Sequence, residues 1–340
     1  MWPSGKAPVF GSGISQVRSL PSQPYKKNMP EFKIATGRSN PHLAEKVAKS
    51  LGLELAETSV KNFSDGEIWV KYEENVRGVD LFIIQSTHAP SENLMELLIL
   101  IDAAKRASAK RVTAVIPYYG YARQDRKDQP RVSVTAKLVA NLLTRAGADR
   151  IIAVDLHSSQ IQGFFDVPLD HLHSSSVLLA ALKKMNLSDI TFASPDVGGI
   201  KTARSYAKKL NSDLILVDKR RPAHNIAEIT HIIGDIKDKN IILVDDMIDT
   251  GSTFLKCADA LKERGAKDII GICVHPIFSG AAQELFAKSE SVSKLFVTDT
   301  IPLQFESNKI EVVSVADLLG EAIIRTHDNR SISSLFEIER

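Results

Sequence analysis

Two strings of residues have the types and spacing to do chemistry. The first, Asp245-Asp246-Met247-Ile248-Asp249-Thr250-Gly251-Ser252-Thr253, follows the apolar run Ile241-Ile242-Leu243-Val244 and enters a helix expected to run to Gly265. A loop of small residues at a helix N-terminus turns backbone N–H groups and the positive end of the helix dipole toward a phosphate. Neighbouring carboxylates repel that phosphate but suit polyol hydroxyls and Mg2+. A sugar phosphate carries both kinds of group. An isolated Asp-Thr-Gly reads as a helix-capping turn; the whole string at a strand-to-helix junction reads as a ligand site. The second string spans 155–170, where Asp155, Asp166 and Asp170 surround His157 just beyond a strand ending at Val154. One imidazole among carboxylates suits Mg2+, a hard ion that takes few protein ligands and completes its shell with phosphate oxygens.

Both strings need strand ends to hold them, and the chain supplies short apolar runs alternating with capped amphipathic helices. A strand is expected at 34–36, then a helix capped by Asn40 with Pro41 at its first position, striped by Leu43, Val47 and Leu51, and stopped at Gly52. Strands follow at 81–84, 111–116 and 150–154, with intervening helices capped by Ser91 and running through Arg106, and capped by Ser133 and ending near Gly147. The second half repeats this order at an offset of about 160 residues. The segment starting at Phe32 aligns with that starting at Ile190, and Ala109-Lys110 falls on Ala266-Lys267. The expected fold is therefore α/β, with two homologous Rossmann-like domains, each a mainly parallel sheet flanked by helices, over 29–174 and 175–340. The copies differ where it matters. The first-half strand that matches the acidic string ends in Gln85-Ser86-Thr87-His88 and has no paired acids.

Composition narrows the field. The 340 residues carry 43 Lys+Arg against 41 Asp+Glu, a formal charge of +2, which argues against nucleic-acid binding as the main task. No apolar run is long enough to span a bilayer. Cys257 and Cys273 are too few for a disulfide framework and lack metal-binding spacing, so a reducing, cytoplasmic setting is expected. Residues 1–28 are rich in Ser, Pro and Gly and contain no acid. They are read as a disordered leader, with a transit peptide or an upstream start left open.

The string 245–253 resembles the ribose-5-phosphate signature of type I phosphoribosyltransferases. The string 155–170 resembles the signature of ribose-phosphate pyrophosphokinases, also called phosphoribosyl-pyrophosphate synthetases, and the likeness extends over about 32–336. It implies two phosphoribosyltransferase-like domains, the first serving ATP and metal and the second ribose 5-phosphate. It also implies transfer of the β,γ-diphosphoryl group of Mg-ATP to the C1 hydroxyl of ribose 5-phosphate. On this resemblance Phe63, Asp65, Glu67, Arg123, Gln124 and Asp125 meet ATP. Asp245, Asp246 and Asp249 face the ribose, and Thr250, Gly251, Ser252 and Thr253 hold its phosphate. His157, Asp196, Asp155, Asp166 and Asp170 serve Mg2+, while Lys219, Arg221 and His157 are catalytic.

The phosphate-activated, ADP-inhibited class of the family forms hexamers, and its anion site maps to Arg77, Ser159, Gln162, Ser331 and Ser333. Where the family has Ser-Gly-Pro-Ala, this chain has Ser279-Gly280-Ala281-Ala282, a departure that bears on the strength of ADP inhibition. Two other functions compete. A nucleobase phosphoribosyltransferase needs 245–253 but not 155–170. A non-catalytic regulatory subunit would have damaged catalytic positions, whereas Lys219, Arg221, His157 and Asp249 are all present.

Overall fold

In a computed structural model, residues 32–223 and 226–335 are described, without the side chains of 218–231 and 334. The expected leader lies outside the described residues. The first sheet is wholly parallel in the order β1 (Phe32–Thr36), β4 (Asp80–Ile84), β5 (Arg111–Ile116), β6 (Arg150–Val154) and β7 (Leu169–Leu172). The hairpin of β2 (Thr58–Asn62) and β3 (Ile68–Tyr72) stands apart as a two-stranded sheet. The second sheet repeats the parallel order with β8 (Ile190–Ala193), β11 (Asn240–Ile248), β12 (Asp268–Pro276), β13 (Lys294–Thr298) and β14 (Ile310–Val313). Here the inserted pair, β9 (Asp213–Ala223) and β10 (Ile226–Ile233), extends the sheet's edge instead.

Continuous apolar runs become strands covered on both faces, as parallel sheets require. Every residue of β4 is buried, as are the first five of β11. Helix α1 (Pro41–Ser50) starts as expected, with the Asn40 side chain accepting from Leu43 N at 3.3 Å. Helix α3 (Thr135–Ala146) ends at Gly147 in the left-handed conformation, φ 115°. The other two caps differ. Ser91 sits at the start of α2 (Glu92–Arg106) with helical dihedrals and no capping bond, and Val134, not Ser133, occupies the cap of α3. At α3 the entry is fixed from outside, because Ala136 N donates to Gln124 O.

The carboxyl ends of the two sheets meet. Asn40 Nδ2 donates to Asp299 O at 2.8 Å, Ser86 Oγ to Thr300 O at 2.6 Å, and Lys46 Nζ pairs with Asp299 at 2.9 Å. Between them Tyr118, Met247 and Ile301 form a small apolar plug. Elsewhere one apolar core runs through both halves, joining Leu43, Phe82 and Ile152 to Phe192, Ile242 and Phe296. The last helix, α8 (Ala316–His327), crosses back to the first half, where His327 Nδ1 lies 2.9 Å from Asp80. Sites at strand ends are thus brought face to face, the position where α/β sheets bind ligands.

Candidate active site

The acidic string is partly strand. Strand β11 continues past 244 to Ile248, pairing Asp245 with Cys273 and Met247 with His275, so Asp245 and Asp246 stand on a paired strand and not on a loose loop. Gly251, φ 75°, then turns the chain into α6 (Ser252–Glu263), and a Cβ there would lie 2.7 Å from Phe286. Glycine at the cap offers no side-chain acceptor to the first turn of α6, which suits that turn to an external anion. The Thr250 and Ser252 hydroxyls lie 3.2 Å apart at the same place.

The three acids of this string have different partners. Burial pushes the Asp245 carboxyl well up, and the nearby charges of Asp246 and Asp196 push it the same way. Burial acts most strongly on Asp246, upward, but the bond to His157 Nδ1, 2.6 Å, the His157 charge, a bond with Asp245 and the charge of His275 together hold it below the ordinary value. The bond to Asp246 raises His157 in turn, against burial. For Asp249 burial is likewise outweighed, by hydrogen bonds from Ser279 Oγ and from Arg123 Nη1, the latter at 2.7 Å. Two first-half residues expected on the nucleotide side, His157 and Arg123, thereby meet two second-half residues expected on the sugar side.

The first-half residues get there by tight turns. Tyr121 adopts φ 63° before Arg123, and Asp155 adopts φ 38° before His157. Gln124 is tied to the start of α3, accepting from Thr135 Oγ1 at 2.5 Å, while Asp125 lies close enough to raise His157 electrostatically. Asp155 faces inward: its carboxylate accepts from Ser174 N at 2.8 Å and Ser174 Oγ at 2.5 Å and pairs with His173 at 3.1 Å. Burial pushes it up, but those bonds bring it down to about 2. Asp170 is buried against Arg150 at 2.5 Å, its carboxyl raised by burial despite that partner, and Asp166 is exposed 3.8 Å from Lys137.

Asp196 sits in the turn after β8 and accepts from Gly199 N at 2.9 Å. Its charge acts on Asp245, which also feels Asp246, the partner of His157, and carboxylate oxygens of this kind are the donors that Mg2+ prefers. Asp155 instead shares its surroundings with two imidazoles that the sequence reading missed. Ligating atoms of Asp155, His171 and His173 lie within 4.8 Å of one another. Burial and the His173 charge lower His171 to about 4, and its Nε2 accepts from Leu156 N at 2.9 Å. Their i, i+2 spacing, His171 within β7 and His173 just past its end, was the available signal.

Phe63, Asp65 and Glu67 form the tip of the β2–β3 hairpin, with Phe63 56% exposed and bonds local to the turn. Arg77 is exposed in the turn before β4, Ser159 and Gln162 lie in a 3-10 helix (Ser159–Phe164), and Ser331 and Ser333 share a 2.8 Å contact in the tail. Lys219 and Arg221 are carried by β9, and their side chains lie outside the described residues.

Similarity to known proteins follows the same layout. Residues 32–147 match a family model described as the N-terminal domain of ribose phosphate pyrophosphokinase, and residues 215–337 match one described as a phosphoribosyl synthetase-associated domain. A ribose-phosphate pyrophosphokinase of Chlorobaculum tepidum is 57% identical, covering 90% of this chain and 95% of its own. One from Wolinella succinogenes is 52% identical, covering 90% and 99%. The crystal structure of phosphoribosylpyrophosphate synthetase from Mycobacterium smegmatis superposes with a TM-score of 0.82 at 40% identity, covering 88% of this chain and 99% of its own.

Proposed function

Since the chain belongs to the ribose-phosphate pyrophosphokinase family, we propose that the meeting of the two sheets' strand ends is its catalytic centre. The enzyme transfers the β,γ-diphosphoryl group of ATP to the C1 hydroxyl of ribose 5-phosphate, giving 5-phosphoribosyl 1-pyrophosphate and AMP. One observation carries the assignment of residues: the His157–Asp246 and Arg123–Asp249 pairs bridge the halves. Such transfer asks the protein mainly for positioning and charge stabilisation.

In this reading the phosphate of ribose 5-phosphate rests on the first turn of α6 and on Thr250, Gly251, Ser252 and Thr253, while Asp245, Asp246 and Asp249 orient the hydroxyls. Phe63, Asp65, Glu67, Arg123, Gln124 and Asp125 serve the nucleotide. Asp196 and His157, with the neighbouring acids, would hold Mg2+, which would supply charge neutralisation of phosphate oxygens. Lys219 and Arg221 stabilise the charge that develops during transfer, Lys219 as a point charge and Arg221 with two donors to neighbouring oxygens.

We further propose a cytoplasmic, homohexameric enzyme activated by phosphate and inhibited by ADP through Arg77, Ser159, Gln162, Ser331 and Ser333. Among the described residues no helix is long and apolar enough to cross a membrane. AMP formation from Mg-ATP and ribose 5-phosphate, titrated with inorganic phosphate, tests both levels. AMP that does not depend on the sugar contradicts the reaction, and no response to phosphate removes the regulatory class.

A further inference from the structure

We propose that His275 is a positioning residue for the catalytic centre, a buried imidazole on the second sheet that sets the place of His157 on the first. His275 is 2% exposed near the end of β12, beside Met247 of the acidic strand. Its Nε2 lies 3.0 Å from the carbonyl oxygen of Asp155, and its Nδ1 lies 2.9 Å from Thr300 Oγ1. A carbonyl can only accept, so Nε2 carries the proton and Nδ1 receives the Thr300 hydroxyl. Both ring nitrogens are used, and the tautomer is fixed. The Tyr118 ring, from the first half, packs edge-on against the imidazole at 4.9 Å.

The bonded carbonyl belongs to a residue under strain. Asp155 has φ 38°, which an L-residue keeps only when its surroundings impose it. First-half groups supply part of that constraint, since Asp155 N donates to Leu172 O and its side chain is held by Ser174 and His173. The carbonyl is held from the second half, by His275. That turn sends His157 out of the sheet end to within 2.6 Å of Asp246. One side chain therefore connects the turn that carries His157 to β12, the strand paired with Asp245 and Met247. Losing it leaves every proposed catalytic group in place chemically but frees one relative to the other, an error that costs turnover more than binding.

The inference rests on the proposed role of His157, and the test separates the two. His275→Gln keeps an amide N–H near the Nε2 position, His275→Asn keeps a polar atom only near Nδ1, and His275→Ala keeps neither. The full-length enzyme with Mg-ATP and ribose 5-phosphate is expected to retain kcat within about threefold in the Gln variant and to lose about 10²-fold in the Asn and Ala variants, with both KM values near wild type. Thr300→Val, which removes the hydroxyl bonded to Nδ1, is expected to lower kcat by about tenfold. Equal losses in the Gln and Asn variants, a kcat that falls only in step with Tm, or an unchanged kcat in Thr300→Val overturns the assignment. If His157→Ala abolishes turnover while His275→Asn does not, the inference alone fails; if His157→Ala is active, the reading of the site fails.

Discussion

The equivalent junctions after β4 and after β11 put similar backbone to opposite uses. After β4 the polar side chains are spent on the protein itself. Gln85 accepts from the Ser39 hydroxyl at 2.8 Å and donates to Glu96 at 3.1 Å, Ser86 bonds to Thr300 O, and the Thr87 hydroxyl accepts from Gly120 N at 2.8 Å. All three are buried. At the end of β11 the acids crowd one another, and Asp246 and Asp249 are met by groups from the facing half, a costly arrangement unless a ligand uses it. A duplicated fold thus supplies one junction as a brace and the other as the proposed site.

The largest expected effects lie on the proposed catalytic strand. Lys219→Ala or Arg221→Ala lowers kcat by about 10²-fold or more with the fold intact, measured by steady-state AMP release. Near-normal turnover in either variant removes that residue from the mechanism. Next comes the turn of the proposed site's junction. Gly251→Ala must move Phe286, 2.7 Å from the new Cβ, and distort a left-handed turn, so KM for ribose 5-phosphate rises by about tenfold. An unaltered KM would place the phosphate elsewhere.

The bracing junction is expected to respond in stability instead. Gln85→Ala strands the partners of a fully buried amide and destabilises by about 2 kcal/mol in denaturant unfolding, while the KM values hold. A shift in KM without loss of stability would erase the contrast. The effect confined to acid pH concerns Asp155, whose folded value of about 2 lies below its ordinary value of ~3.9. Its stabilisation, about 2 kcal/mol, is fully present above pH ~4 and is lost as pH falls through the folded value. Asp155→Asn should flatten that acid limb in unfolding curves measured across the range, and an unchanged limb would contradict the assignment.

Much of this was legible in the chain. Apolar runs gave β5 and β6 their bounds, Asn40-Pro41 marked the start of α1, and the repeat foresaw matching strand orders. Both strings lie at strand ends as expected. What escaped was set by distant partners. Strand β11 runs on through Asp245 and Asp246 because β12 pairs with them, and no local propensity of two acids predicts that. Nor do the letters show what Asp155 and Asp170 bond to: Ser174 and His173 for the first, Arg150 for the second. His275 carries no motif at all, and only the facing sheet gives it meaning.

The most direct test compares the two KM values of Asp249→Asn. Asp249 stands on the proposed site's junction, held by Arg123 and Ser279. A rise of about tenfold in KM for ribose 5-phosphate, with KM for Mg-ATP within about threefold of wild type, is the predicted result. A rise confined to Mg-ATP, or no change in either, would contradict the placement of the sugar on the second half.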